Sequence, residues 1–261
     1  MKAKLLQDLA KYPLCWFFLR KCVEDMSDRQ ITADLAAEPD MSLLQHFDKP
    51  EQMGGLEQLF SRTMETFGLS KEDLKRKAKF NLDVYDIRNF ESVRAVFRFA
   101  NALSEVGFTN FVLIVAQGLA DFMATRGGQR WFVEVKALVL QTKPQEFEIA
   151  GKIGTFTVDK FQPESRNTAD YVENVSRLLA RRHVPDARQQ LLRTVEKMGA
   201  GKKMAAIVVN LFLVDFIDPE NLRLVETRLS GKAGGEWGIN YLADIDALVF
   251  LTNQLYPFPG T

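Results

Sequence analysis

The stretch Leu119–Leu140, LADFMATRGGQRWFVEVKALVL, constrains the fold more than any other part of this chain. Two apolar, strand-like runs meet at Gly127-Gly128 and carry Asp121, Glu134 and Lys136 where a sheet interior is expected. A Gly-Gly pair between such runs predicts a two-residue hairpin, because glycine takes positive φ at no steric cost. That turn fixes a register in which Arg126 faces Gln129, and equal steps outward set Asp121 opposite Glu134. Directly opposed residues share a face of the sheet. Alternation along the strand adds Lys136 to that face and turns Trp131, Val133, Val135 and Ala137 to the other.

Two adjacent carboxylates repel each other unless a proton or a cation lies between them, so the pair suits a hard divalent metal with oxygen ligands. A strand face bearing D, E and K is ordinarily a solvated surface. Here Trp131 to Leu140 holds no other charge, so the strand reads as buried on both faces except at two positions. Charge retained in such a place needs a partner or a purpose.

Asp121, followed across a hairpin by Glu134-Val135-Lys136, resembles the core motif of the PD-(D/E)XK nuclease superfamily, whose members cut phosphodiester bonds with magnesium. Ala120 stands where that family usually has proline. The resemblance covers roughly Asn89 to Phe212. It implies an α/β protein with a restriction-endonuclease-like α-β-β-β-α-β core and a mixed central sheet. It also implies magnesium, or manganese, held by Asp121, Glu134 and the backbone carbonyl of Val135. Lys136 would orient the attacking water or meet the developing negative charge. Nucleic acid is the implied partner, with DNA and internal cleavage favoured; exonucleolytic action, RNA and a homodimer stay open. The competing reading is a catalytically inactive nuclease-fold protein that binds nucleic acid or another protein, its ionic residues kept as internal pairs.

Two further residues are candidates by resemblance. A helix capped by Asn89 carries Val93, Val96, Phe97, Ala100 and Leu103 on one face and stops at Gly107. Glu91 near its start resembles the glutamate that the superfamily often places there, whereas Glu105 lies roughly 20 Å further along. Glu91 could equally favour the positive helix terminus. Gln190, on a helix opened by Pro185, resembles the glutamine that follows the ExK strand in many members, with Gln189 as a competitor and a surface role as the plain alternative.

The rest of the chain divides into an amino-terminal helical region, 1–84, and a nuclease-like domain, 85–261. Leu56, Leu59, Phe60, Met64 and Phe67 recur at helical spacing, and Ser70 with Asp73 forms a capping box. The following helix bears Lys71, Lys75, Arg76, Lys77 and Lys79, either a phosphate-facing cluster or a solvated face. Phe111–Val115 reads as the first strand, turning at Gln117-Gly118. Phe147–Val158 reads as an inserted hairpin, Thr168–Arg182 as a helix and Met204–Val214 as a core strand. A helix from Pro219 and a strand near Ile245–Leu251 close the order. Arg181, Arg182, His183 and Arg188 form a second basic cluster, in which His183 reads as a loop histidine. Asp244 and Asp246 make a D-x-D that suggests a second metal, and a capped strand start explains it as well; neither is taken as catalytic.

Composition excludes more than it identifies. With 34 basic and 34 acidic residues, no overall positive field advertises nucleic acid, so any phosphate contact must be local. Cys15 and Cys22 form no disulfide framework or zinc quartet and read as buried thiols. The longest apolar run, Ala205–Ile217, is broken by Asn210 and Asp215 and is too short to span a bilayer. No signal-peptide pattern opens the chain, and a reducing cytoplasm is the simplest compartment. The sequence contains no P-loop, GxGxxG or nucleophile elbow.

Overall fold

A computed structural model describes residues 2–35, 50–78, 87–138, 146–149, 152–155, 168–209, 219–251 and 255–257. Its centre is a mixed sheet of β1 (Thr109–Leu113), β2 (Phe122–Arg126), β3 (Gln129–Leu138), β6 (Lys202–Val209), β7 (Ala247–Leu251) and β8 (Leu255–Pro257), adjacent in that order. β1, β2 and β3 are antiparallel neighbours, β6 runs parallel to β3, β7 parallel to β6, and β8 antiparallel to β7. The protein is therefore α/β with a mixed sheet. β4 (Glu146–Ile149) and β5 (Lys152–Thr155) form a separate antiparallel hairpin within the segment where an insertion was expected.

The alternation of β3 decides what covers each face of the sheet. Val133 and Val135 pack with Met204, Ala206, Val208 and Val249 beneath α6 (Ile87–Glu105), through Ala95, Phe99 and Leu103. Phe132, Ala205, Ile207, Leu248 and Phe250 face the other way, against α7 (Thr168–Leu178), α8 (Val184–Met198) and α9 (Pro219–Leu229). A strand sandwiched between two helical layers must be apolar on both sides, which accounts for the near-continuous hydrophobic run.

α7 and α8 are not separate helices joined by a loop. The π-helical turn Leu179–His183 joins them, with the Val184 N–H donating to Leu179 O. Pro185 has no N–H to give an α-type bond to Arg181, so the backbone rewinds locally instead of breaking. His183 consequently sits inside a helical rod, not in a loop as its neighbours in sequence suggested. The strand expected over 204–214 begins two residues earlier, and its last five residues lie outside the described set, as does the expected boundary at 84–85.

The amino-terminal helices α1 (Lys2–Leu9), α2 (Pro13–Asp25), α3 (Asp28–Leu35), α4 (Pro50–Phe67) and α5 (Lys71–Lys77) build a second core that reaches Phe90 and Phe97 of α6. Phe18, Phe60 and Phe97 form an aromatic chain across α2, α4 and α6, with centroid separations of 4.5 and 6.3 Å. Ser70 caps α5 by accepting from Asp73 N at 3.1 Å, as the capping box predicted. Cys15 and Cys22 are buried free thiols. Among the described residues no helix is long and apolar enough to cross a membrane.

α2 begins at Pro13 without a side-chain cap from Tyr12. Its exposed N–H groups are taken instead by Glu57 of α4, which accepts from Leu14 N at 2.9 Å and Cys15 N at 2.8 Å. A carboxylate at that end also meets the positive pole of the helix. Glu57→Ala is expected to cost about 1–2 kcal/mol, read as a lower urea midpoint with an unchanged slope.

Candidate active site

The turn at Gly127 and Gly128 has φ values of 58° and 77°, the left-handed geometry that the Gly-Gly pair anticipated. Pairing then runs from Arg126↔Gln129 out to Phe122↔Val133. Strand β2 stops there, one pair short of Asp121 and Glu134. Asp121 N still donates to Val133 O at 3.0 Å, but the next N–H on β3, that of Val135, donates at 2.8 Å to Asp121 Oδ2. The aspartate carboxylate takes up the N–H that a continuing strand would have met with a backbone carbonyl. Its hold on the β3 backbone is thus direct.

Glu134 is 4% exposed, on the sheet face that α8 covers. Its Oε1 accepts from Lys136 Nζ at 2.8 Å, while its Oε2 is buried without a hydrogen-bond partner. Burial first, and the neighbouring Asp121 carboxylate second, push the Glu134 carboxyl up to about 8, against the opposing pull of Lys136. Lys136 Nζ also donates to Gln190 Oε1 at 3.1 Å, so α8 contacts the site through Gln190. The structure therefore brings together Asp121, Glu134, Lys136, the Val135 backbone and Gln190.

Glu91 has a partner of its own. It lies one turn before Ala95 on the stripe of α6 that packs on the Val133 and Val135 side of the sheet, and Arg94 holds its carboxylate at 2.9 Å. Arg98 is close enough for its guanidinium, pushed down to about 10 by burial and by Arg94, to feel Glu91 in the opposite sense. On the surface, Lys71 and Lys75 of the first basic cluster lie 4.9 and 5.7 Å from the centre of the Phe17 ring, and Arg76 pairs with Asp73. Lys79 lies outside the described residues. Arg181 and Arg182 are exposed on the π turn, and Arg188 pairs with Asp244. Asp246 accepts from Lys203 N at 2.9 Å and Lys202 Nζ at 3.0 Å, the capped strand start that the sequence suggested.

Near the site the sequence reading misplaced one residue and missed another. His183 is half-buried on the π turn, and its imidazole is held neutral, down to about 4, by burial, then Arg182, then Lys136. Thr194 is fully buried and accepts from Ala120 N at 2.7 Å. The spacing His183, Ala187, Gln190, Thr194 places all four on one face of a continuous helix. That periodicity was the available signal, hidden by reading Arg182 as a helix end.

Comparison with protein-family models, curated proteins and solved structures returned no match. The fit of a cation therefore rests on the donor set itself. The repulsion between an unpartnered buried oxygen of Glu134 and the carboxylate beside it is relieved by either a proton or a hard cation. Among the described residues no cluster of three His, Cys, Asp or Glu side chains gathers. Two carboxylates and the Val135 carbonyl suit magnesium, which keeps several waters, better than they suit zinc.

The raised Glu134 carboxyl makes the fold sensitive to pH. The folded state binds this proton more tightly than the unfolded chain, so its stabilising effect is complete below the ordinary value of 4.5 and is lost as pH rises towards about 8. Glu134→Gln stays neutral throughout. Its melting temperature relative to wild type, measured without divalent ions, should therefore rise between pH 5 and pH 8; a constant difference would contradict the burial of a strained carboxylate.

Proposed function

We propose that this chain is a metal-dependent nuclease that hydrolyses phosphodiester bonds of nucleic acid, with DNA as substrate and cleavage within the strand. The observation that carries the reading is the buried, unpartnered Oε2 of Glu134 beside Asp121, with Lys136 held against the same carboxylate. The likeness of Asp121 and Glu134-Val135-Lys136 to the PD-(D/E)XK motif, and the mixed sheet that carries them, support it.

Asp121, Glu134 and the Val135 carbonyl would hold magnesium or manganese. When bound, such an ion supplies Lewis acidity to a phosphoryl oxygen and lowers the pKa of water. The remaining work falls to side chains of this chain. Lys136 has three N–H donors, of which Glu134 and Gln190 take two; the third would meet a phosphoryl oxygen as negative charge grows there. Gln190 fixes the lysine rotamer. His183, neutral and close to Lys136, adds no positive charge to the group. With no net charge on the chain, flanking phosphates must be met locally, and Arg181 and Arg182 on the π turn are the exposed cations on the element that carries His183.

A second reading draws on a specific contact. The Lys136–Glu134 pair at 2.8 Å, with Asp121 bound to the Val135 N–H, also describes an internally satisfied scaffold that binds nucleic acid or protein without cutting it. The two readings part on metal. Purified protein with magnesium or manganese should nick supercoiled DNA, and Lys136→Ala or Asp121→Ala should each slow nicking by roughly 10²–10³-fold with an unchanged circular-dichroism spectrum. Cleavage that survives both substitutions places the chemistry elsewhere. Absence of heat on manganese titration of the folded wild type selects the scaffold.

A further inference from the structure

We propose that Thr194 is a positioning residue, clamping the amide that precedes Asp121 and so tying the aspartate to the helix that holds Lys136. The assignment takes Asp121 as a site residue, as the nuclease reading does. Thr194 Oγ1 accepts from Ala120 N at 2.7 Å and donates to Gln190 O at 2.7 Å. A hydroxyl has one proton, and its commitment to the Gln190 carbonyl one turn back turns a lone pair towards Ala120. Both Thr194 and Ala120 are fully buried, so water cannot replace this bond without opening the interface.

Hydroxyls of Ser176 and Thr227 make the same bond to the carbonyl four residues back, so that contact alone is ordinary helix chemistry. What distinguishes Thr194 is the amide it accepts from another element, seventy-four positions away and adjacent to Asp121. With that clamp in place, the backbone around Asp121 is fixed at three points: Ala120 N to Thr194, Asp121 N to Val133 O, and Asp121 O to Ile114 N at 2.9 Å. The carboxylate is then delivered to the Val135 N–H. The clamp needs the Ala120 N–H, which a proline at that position would not have. In this chain a buried hydrogen bond supplies the restraint, and its other end reaches Gln190, the partner of Lys136.

Amide hydrogen exchange by NMR tests the clamp without any assumption about activity. Thr194→Val, close in shape but without the hydroxyl, should speed exchange at Ala120 and also at Val135, whose N–H bonds to the Asp121 carboxylate, by about tenfold or more. Thr194→Ser should restore both. Unchanged protection at Val135 in a folded Thr194→Val protein, or equal loss in Thr194→Ser, overturns the proposal. If the valine variant does not fold, the wild type decides: the Thr194 hydroxyl proton must show a nuclear Overhauser contact to the Ala120 amide, and its absence overturns the clamp. In cleavage assays Thr194→Val should lower kcat about tenfold or more with KM for DNA unchanged. Faster Val135 exchange with a wild-type kcat removes the role in positioning for catalysis. A wild type that exchanges as expected but never cuts removes the nuclease reading and leaves the clamp standing.

Discussion

Burying a carboxylate on a central strand is the constraint to which the rest of the site answers. Glu134 loses its water on the face of β3 that α8 covers, and a charge in that position is tolerated only with a cation or a proton close by. Lys136, two residues along and therefore on the same face, meets one oxygen; the other is left without a partner. Gln190 steadies the lysine, and Asp121 comes in from the end of β2 to add a second carboxylate to the same neighbourhood.

The sheet separates this chemistry from the scaffold. Alternation sends Val133 and Val135 to the side of α6 and of the amino-terminal helices beyond it, where apolar contacts predominate. Glu134 and Lys136 go to the side of the α7–α8 rod. Helix α6 thus contributes its apolar stripe to the sheet, and Glu91, near the start of that stripe, is paired with Arg94. The polar stripe of α8 is the complement: Thr194 and Gln190 both hydrogen-bond to residues at or beside the site.

Much of this was legible in the sequence because its causes are local. A Gly-Gly turn sets a hairpin register, and period-two alternation assigns each residue of β3 to a face. Ser70 with Asp73 announced a helix start, and Asp246 announced a strand start. What failed were inferences that needed a neighbour from a distant part of the chain. His183 looked like a loop residue because Pro185 normally opens a new helix; the π turn absorbs the missing hydrogen bond and carries the helix through. The helical spacing of Thr194 with Gln190 gave its face, but its partner became visible only once Ala120 was placed against it.

By itself, then, the sequence determined the hairpin and the shared face of Glu134 and Lys136, since dihedral preference and side-chain period act over a few residues. Tertiary structure alone decided which helix covers that face, where β2 stops, how Asp121 reaches the Val135 N–H and which polar groups hold the site in place. Those outcomes depend on buried groups finding partners from elements far apart along the chain, and no short-range pattern encodes which partner arrives.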